Sequence, residues 1–566
     1  MTTLKWWQRA VFYQIYPRSF ADGNGDGIGD FTGMIAKLDY LKDLGVDAVW
    51  LSPHYPSPMA DCGYDVADYT AVAPEYGTLD DFRRFLDGLH VRGMHLILDL
   101  VLNHTSDQHP WFIESRSSRT NPKRDWYVWR PGKNGQPPNN WCATFGGKAW
   151  EYDPQTDEYY YHFFFKEQPD LNWLNPEVRQ AMWAAVRFWL DMGVDGFRLD
   201  AVGTIFEDPA MPDHQSKLTL DDLYRYNRLA RTPQERANSG KLWEDIFAAQ
   251  HDQPGMHELM RELRAVINEY PDRVLVGETD DLSYYGSGDD ELHLVFNFPL
   301  MRTQRLSASW VRANQQERAL ALPPQAWPCN TLGNHDVDRM ISQFGDGEND
   351  AAIARVNLAI LLFLRGTPFL YNGEEIGMTN TWVSSVAEFR DPLSPGAYEL
   401  EMRLMGASPE EALQHAAFNG RDKCRTPLQW SNHPNGGFCP AGVSPWLPVN
   451  ANFAAGVNVA TQQQDPDSLW QFYRTLLHLR KQTPALVEGE YQPLLADEVD
   501  VLAFIRATAT QRCLVLINPA AAPQAIQLAQ LLRAEAILQS NTNRVLPLAA
   551  AITLAPFEIL VLLLKG

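Results

Sequence analysis

Cysteine is scarce in this chain of 566 residues, and its distribution argues against a disulfide framework or a zinc centre. The six cysteines are scattered along the whole sequence. None of them forms the closely spaced pairs that zinc sites require. We therefore expect unpaired thiols, which are typical of a reducing compartment.

Long apolar segments are also missing. No run of eighteen apolar residues occurs, so the sequence predicts no membrane-spanning helix. The first nine residues include Trp6 and Trp7 but lack the apolar core of a signal peptide. Together with the unpaired thiols, these absences predict a cytoplasmic protein without a membrane partner.

Positive charge is in short supply. The chain has 48 lysines and arginines against 70 aspartates and glutamates, a formal net charge of −22. This balance argues against binding to nucleic acid or to an anionic membrane surface. Aromatic residues, by contrast, are plentiful, with 18 tryptophans beside 21 tyrosines and 26 phenylalanines. They fit the aromatic walls of a cleft for a polar, uncharged ligand, although core packing is the more common reason for each one.

Short apolar strands alternate with amphipathic helices through most of the chain. This alternation predicts an α/β fold, a (β/α)8 TIM barrel with parallel strands. The eight predicted strands are 11–16, 47–51, 96–102, 194–199, 274–278, 293–297, 328–332 and 368–371. The pattern also predicts a helix at 34–44, a polar insertion at about 206–242 and, near the C-terminus, a strand at 552–563.

Two segments depart from this alternation of strands and helices. Residues 104–173 are rich in Pro, Gly, Asn and Trp and are too many for a loop, so they predict a subdomain inserted after strand 3. From about residue 486 short alternating strands predict a C-terminal antiparallel β-sandwich. The expected domains are therefore a barrel of residues 1–103 and 174–485, an inserted subdomain of 104–173 and a β domain of 486–566.

Polar residues occupy the ends of several predicted strands. Arg198 and Asp200 lie two residues apart and so point the same way from the fourth strand. An ordinary buried ion pair would explain these two alone. His104, Glu278 and Asp336 follow three other strands, and barrel closure would gather all these ends around one pocket. Three carboxylates there could bind a metal, or two of them could act as acid and nucleophile on a glycosidic bond.

Four of these strand-end segments resemble the signature regions of the α-amylase superfamily (glycoside hydrolase family 13). They are 99–104 (Asp-Leu-Val-Leu-Asn-His), 196–200 (Gly-Phe-Arg-Leu-Asp), 277–278 (Gly-Glu) and 334–336 (Asn-His-Asp). Further matches at 14–20, 63–65, 168–172 and 425–430 resemble its exo-acting α-glucosidase and oligo-1,6-glucosidase branch.

The resemblance implies a role for each catalytic carboxylate. Asp200 would be the nucleophile, kept ionised by Arg198, and Glu278 the general acid and then the base. Asp336 would bind substrate hydroxyls and distort the sugar ring. A retaining mechanism requires the Asp200 and Glu278 carboxyls to lie about 5 Å apart.

The resemblance also implies a pocket that closes around the non-reducing end of a short α-glucoside. Tyr64 would stack on the terminal glucose, and Asp65 and Arg425 would bind its far hydroxyls. The remaining expected sugar contacts are His104, Arg198, His335, Phe145 and Phe164.

A glycine-rich loop after the first strand carries oxygen ligands at alternating positions. It resembles half of a calcium-binding loop, and a metal-free turn is the alternative. In the family that the sequence resembles, this loop holds one structural Ca²⁺ or Mg²⁺. The implied ligands are Asp22, Asn24, Asp26, the Ile28 carbonyl and Asp30, and no organic cofactor is expected.

The predicted function is a retaining exo-α-glucosidase, a monomer or small homo-oligomer capable of transglucosylation. Ala201 stands where relatives that cleave α-1,6 bonds usually carry valine, so we expect α-1,4 substrates of the maltose type. The alternatives are an oligo-1,6-glucosidase and a glucosyl-transferring or isomerising relative such as trehalose synthase or sucrose isomerase. A non-catalytic, transporter-associated homologue is the remote alternative, since all three carboxylates are present.

Overall fold

Eight parallel strands form a nearly closed barrel in the computed structural model, which describes residues 4–495 and 500–565. The strands are β1 (Phe12–Ile15), β2 (Ala48–Leu51), β3 (His95–Leu100), β4 (Gly196–Leu199), β5 (Val274–Gly277), β6 (Leu294–Val295), β7 (Cys329–Thr331) and β8 (Thr367–Tyr371). Seven parallel ladders join neighbouring strands around the barrel, from β7 through β8 and β1 to β6. The predicted TIM barrel is confirmed.

Side chains bridge the seam between β6 and β7, where the described residues include no backbone ladder. Asn297, just after β6, donates from Nδ2 to Asn330 Oδ1 of β7 at 3.1 Å and to Asn314 Oδ1 at 2.9 Å. Arg318 donates from Nη2 to the Val295 carbonyl at 3.3 Å. The Arg318 bond satisfies a backbone carbonyl that a ladder would otherwise pair, and the Asn297 bonds join the two strands through side chains.

Helices surround the barrel and are bounded by clear sequence signals. The helix Leu79–Val91 begins at a capping box in which Thr78 and Asp81 bond each other's backbone. The helix Pro176–Met192 begins at the Asn175 cap and ends at Gly193, whose φ of 109° favours glycine. The other principal barrel helices are Met256–Ile267, Ala308–Ala321, Asp350–Phe363 and Leu469–Gln482.

The predicted helix 34–44 is in fact two helices, Phe31–Ala36 and Leu38–Leu44, because Lys37 between them leaves helical geometry. The predicted polar insertion 206–242 contains the helices Leu220–Leu229 and Pro233–Phe247. The remaining shorter helices are Trp6–Arg9, Pro17–Phe20, Pro110–Ser117, Phe298–Met301, Met340–Phe344, Leu393–Leu400, Pro409–Asn419, Val459–Gln464 and Pro484–Glu488.

The inserted segment after β3 contains a three-stranded antiparallel sheet. Its strands are Trp129–Arg130, Glu158–Tyr161 and Trp150–Asp153, with Glu158–Tyr161 in the middle. A bridge between His104 and Asp170 pairs the two ends of the insertion, and this pairing fixes it at the C-terminal mouth of the barrel.

The C-terminal domain consists of antiparallel sheets with five and two strands. The larger contains Glu490–Leu494, Leu502–Ala507, Arg512–Ile517, Ile559–Leu564 and Ala534–Ser540, and the smaller pairs Gln524–Gln527 with Ala551–Leu554. The predicted strand 552–563 is therefore two strands in different sheets. Buried Arg506 ties this domain to the barrel by donating to the carbonyls of Phe363 and Leu364 at 2.7 and 2.9 Å.

All six cysteines are free thiols. Within the described residues, no helix combines the length and apolar character needed to cross a membrane.

Candidate active site

One guanidinium holds three carboxylates together at the C-terminal face of the barrel. Arg198 Nη1 lies 2.5 Å from Asp99 Oδ1 and 2.8 Å from Asp200 Oδ1, and its Nη2 lies 2.7 Å from Glu278 Oε2. The strand register causes this convergence, because Arg198 pairs with Asp99 of β3 while Asp200 and Glu278 directly follow β4 and β5. Arg198 itself is buried beneath the three groups.

This cluster holds more acid than base, so it favours retention of a proton. Burial raises the pKa of Asp99 to about 6, although Arg198 opposes the shift. Burial also raises the pKa of Asp200, helped by Glu278 and Asp99 and opposed by Arg198. The guanidinium therefore acts as the expected counter-charge to Asp200, but it is shared among three carboxylates.

The backbone beside Asp200 also positions Glu278. The Ala201 N–H donates to Glu278 Oε2 at 2.9 Å. Ala201 adopts a left-handed conformation with a φ of 41°, which is uncommon for residues other than glycine and strained for branched side chains. The sharp turn after β4 thus orients Glu278 towards Asp200.

Asp336 lies in the most cationic part of the site. Arg425 bonds its Oδ1 through Nη2, and His335 Nε2 lies 3.4 Å from its Oδ2. Burial opposes ionisation of Asp336, but the guanidinium groups of Arg425 and Arg421 hold its pKa well below the ordinary value. Asp336 is therefore a permanent carboxylate that can accept hydrogen bonds from substrate hydroxyls.

Tyr64 and His335 form a stacked pair beneath the site. The Tyr64 hydroxyl lies 2.6 Å from His335 Nε2, and the ring centroids are 5.5 Å apart. The Gln14 amide lies 2.7 Å from His335 Nδ1 and donates to it, so Nε2 carries the hydrogen in the neutral ring. Burial pushes the pKa of His335 well below its ordinary value, which keeps the ring neutral.

His104 is the second histidine of the site. Its Nε2 lies 2.8 Å from the Gln168 amide nitrogen, which also donates to Asp61 Oδ2 at 3.2 Å. Burial lowers the pKa of His104 to about 4, so it is neutral at physiological pH. The Phe164 ring packs edge-on against it at 5.1 Å, and Phe145 lies 5.3 Å from Phe164. The structure thus brings both predicted phenylalanines to the site.

Two residues missed in the sequence join Asp336 at the far side of the pocket. Arg421 Nη2 lies 2.8 Å from both Asp61 Oδ1 and Asp391 Oδ1, and its Nη1 lies 3.8 Å from Asp336 Oδ1. Asp61 precedes the predicted Tyr64 by three residues, and Arg421 precedes the predicted Arg425 by four. Their position next to the motif segments 63–65 and 425–430 was the available sequence signal.

Asp65 and Arg425 are buried and bonded to neighbouring residues, and their contacts with the sugar stay a prediction. Asp65 is fully buried and accepts hydrogen bonds from the Ser57 hydroxyl and the Asp61 N–H at 2.8 and 2.9 Å. Arg425 is also fully buried and bonds the His335 carbonyl at 2.8 Å as well as Asp336. Each of them orients a neighbour, Asp61 or Asp336, that can face the substrate.

The predicted metal loop is compact, and its side chains bond its own backbone. Asp22 accepts from the N–H groups of Gly25 and Gly27, and Asp30 accepts from those of Asn24 and Gly33. Carboxylate oxygens keep further lone pairs for a cation, so the donor chemistry suits a hard ion. However, the described part of the chain contains no cluster of three or more His, Cys, Asp or Glu residues arranged to hold a metal. A bound ion stays a prediction.

A family comparison decides what this site belongs to. Residues 14–489 match the model of the α-amylase catalytic domain, and this range includes every residue of the site described above. The chain belongs to the α-amylase family. Among curated relatives of this family, it is 42% identical over 531 residues to the oligo-1,6-glucosidase of Parageobacillus thermoglucosidasius, covering 91% of this chain and 90% of that protein. It is 41% identical over 520 residues to the α-glucosidase of Pediococcus pentosaceus, covering 88% of each.

Solved structures of α-amylase family members share the whole architecture. The trehalulose synthase of Pseudomonas mesoacidophila MX-45 superposes with a TM-score of 0.87 at 38% identity and covers 100% of both chains. A variant isomaltulose synthase of Erwinia rhapontici NX5, in complex with its natural substrate sucrose, gives 0.86 at 36% identity, again over 100% of both chains. The relatives therefore include enzymes named as hydrolases and others named as synthases, and the chain is a glycoside hydrolase of the α-glucosidase type.

Proposed function

We propose that this enzyme is a retaining exo-α-glucosidase that releases glucose from the non-reducing end of short, uncharged α-glucosides. The observation that carries the proposal is the shared guanidinium of Arg198, which lies 2.8 Å from Asp200 and 2.7 Å from Glu278. Two carboxyls bound by one guanidinium favour the separation of about 5 Å that a double displacement needs. That separation stays a prediction.

In the first step Asp200 attacks the anomeric carbon while Glu278 protonates the leaving oxygen. The product is a β-glucosyl ester of Asp200. In the second step Glu278, now ionised, removes a proton from water, which attacks the ester and restores the α configuration. The excess of carboxylate around Arg198 supports this cycle, because one guanidinium cannot balance three carboxylates that are all ionised at once.

The geometry at the far side of the pocket supports action at chain ends. Arg421, Asp61 and Asp336 meet there with buried or half-buried side chains. Converging charged donors and acceptors suit the hydroxyls of a terminal glucose.

We propose α-1,4 linkages as the preferred substrate, because the methyl side chain of Ala201 leaves space beside Asp200. Two other specificities are alternatives. The sequence similarity to oligo-1,6-glucosidases supports α-1,6 hydrolysis as one alternative. The structural similarity to trehalulose synthase supports glucosyl transfer or isomerisation as the other. Whether water or a sugar attacks the glucosyl ester distinguishes hydrolysis from the second alternative.

A product time course on maltose, isomaltose and sucrose tests the proposal. We expect glucose from maltose, released first as the α-anomer in proton NMR spectra, and slower release from isomaltose. Release of the β-anomer would contradict retention, and a trehalulose-type isomer from sucrose would favour the synthase alternative.

Asp200→Asn is the matched control, since it keeps the shape of the side chain and removes the nucleophilic charge. It should abolish turnover while leaving Tm near that of the unmodified enzyme. Full activity in this variant would refute the mechanism. A cytoplasmic location, a bound Ca²⁺ and the oligomeric state stay predictions.

A further inference from the structure

A large cavity opens on the face of the barrel opposite the active site. Its volume is about 1280 Å³, and its lining includes residues that precede β1, β6, β7 and β8, such as Trp7, His293, Trp327 and Arg365. Residues before parallel strands lie at the N-terminal face of a barrel, whereas the active site lies at the C-terminal face. Tyr491 of the C-terminal domain completes the wall, so the cavity lies where the two domains meet.

Basic residues outnumber acidic ones around this cavity, although the chain as a whole is strongly acidic. The lining contains Lys5, Arg9, Arg264, Arg318 and Arg365 against Asp289, Glu488 and Glu490. Three of the bases lie within 4 Å of a carboxylate, in the pairs Lys5–Asp272, Arg9–Glu488 and Arg365–Glu490. Over residues 4–495 and 500–565, no carboxylate lies that close to Arg264 or Arg318.

Arg318 is the least compensated of these charges. Arg318 is only 7% exposed, and its Nε has no hydrogen-bond partner. Within the described chain, the one hydrogen bond that its guanidinium makes is the long bond to the Val295 carbonyl. Arg506, a structural arginine nearby, is fully buried but donates to four carbonyls. A buried guanidinium with one weak acceptor is costly unless an anion balances it.

Two further hydrogen-bond donors, His293 and Arg264, line the same cavity. His293 Nδ1 accepts from the Leu275 N–H at 3.0 Å, so in the neutral ring Nε2 carries a hydrogen. Arg264 uses Nη1 and Nε on the Glu291 carbonyl and the Asn268 side chain, and Nη2 takes part in neither bond. His293 lies two residues before Val295, whose carbonyl accepts the Arg318 bond, and both His293 and Arg318 line the cavity.

From this set of donors we propose that the cavity is an anion site for a phosphate group, either free phosphate or the phosphate of a small ester. Guanidinium groups bind phosphate with paired, charge-assisted hydrogen bonds, and the imidazole N–H supplies a neutral donor. The volume accommodates a phosphate ester as well as the free ion. An anion bound there neutralises Arg318 and Arg264.

Thermal unfolding of the full chain tests this site without reference to activity. Tm is measured with sodium chloride, inorganic phosphate and glucose 6-phosphate at equal ionic strength and pH. Ligands that bind only the folded state raise Tm, and we expect phosphate to raise it by about 2 °C above chloride. A larger rise with glucose 6-phosphate identifies an ester as the ligand, and an equal or smaller rise identifies free phosphate.

The variants Arg318→Gln and Arg264→Gln should each lose most of this phosphate-specific rise. Arg187→Gln is the matched control, because Arg187 is an exposed arginine paired with Glu269 outside the cavity, and it should keep the full rise. If Arg318→Gln fails to fold, Arg264→Gln decides. Titration calorimetry should give one phosphate per chain. The absence of any rise beyond chloride, or an undiminished rise in Arg264→Gln, overturns the proposal.

Discussion

Replacing Arg198 by lysine should disable the enzyme even though the positive charge is kept. Arg198 contacts Asp99, Asp200 and Glu278 at 2.5, 2.8 and 2.7 Å with two nitrogens of a rigid fork. A lysine ammonium is a single point and cannot hold all three carboxylates in this arrangement. If two charge-assisted bonds are lost, each worth about 1.5–3 kcal/mol, kcat/KM should fall by about 10² to 10⁴.

Replacing Arg198 by methionine should also change the pH dependence. The guanidinium lowers the pKa of Asp200 against the effect of burial, so its removal raises that pKa further. At a given acidic pH, a smaller fraction of Asp200 is then ionised and nucleophilic. The acidic limb of the kcat/KM profile should therefore move to higher pH by about one unit or more.

The assay is kcat/KM on maltose from about pH 4 to about pH 9, with Tm recorded for each variant. Arg179→Lys is the matched control, since Arg179 bonds Glu262 at 2.9 Å on the outside of the barrel. It should leave both activity and profile unchanged. If Arg198→Lys kept more than about a tenth of the activity, or if the acidic limb of Arg198→Met did not move, the assigned role of the guanidinium would be refuted.

Three further variants test other parts of the structure. Ala201→Val should raise the isomaltose-to-maltose ratio of kcat/KM and lower Tm, because a branched side chain strains the left-handed turn; Ala201→Gly should do neither. Arg421→Gln should lower kcat/KM on maltose by about 10- to 100-fold through loss of its charge, whereas Arg403→Gln, a surface control, should have no effect. Burial raises the pKa of Glu374 to about 8, so the folded state holds a proton that the unfolded state releases. Between about pH 4.5 and 8, the unfolding free energy of the unmodified enzyme should therefore fall by about 1.4 kcal/mol per pH unit relative to that of Glu374→Gln. Denaturant unfolding measures both free energies, and a difference between the two proteins that is the same at both ends of this pH range would refute the prediction.

The barrel could be predicted because its signal is local. Buried parallel strands give nearly continuous apolar runs, and caps such as Thr78 and Asn175 bound the helices between them. The boundaries of helices and strands were predicted less well where packing against neighbouring elements determines them. Lys37 splits one predicted helix, and strand 552–563 divides between two sheets, because packing against other elements determined those boundaries.

The sequence alone identified the family and predicted three catalytic carboxylates, Asp200, Glu278 and Asp336, because each lies at or shortly after a strand end within a short recognisable motif. Only the tertiary structure decided how the charges are shared. Arg198 serves three carboxylates rather than Asp200 alone, since the strand register places Asp99 and Glu278 beside it.

The far side of the pocket depended even more on tertiary structure. Arg421 and Asp61 are 360 residues apart in sequence, so no local pattern could pair them, and the fold brings them to 2.8 Å. Asp65 and Arg425, the neighbours predicted from the motifs, are fully buried and bond the Asp61 backbone and Asp336. Sequence periodicity gives the direction of a side chain within its own strand, whereas the loops that fold over the barrel decide which charged side chains meet.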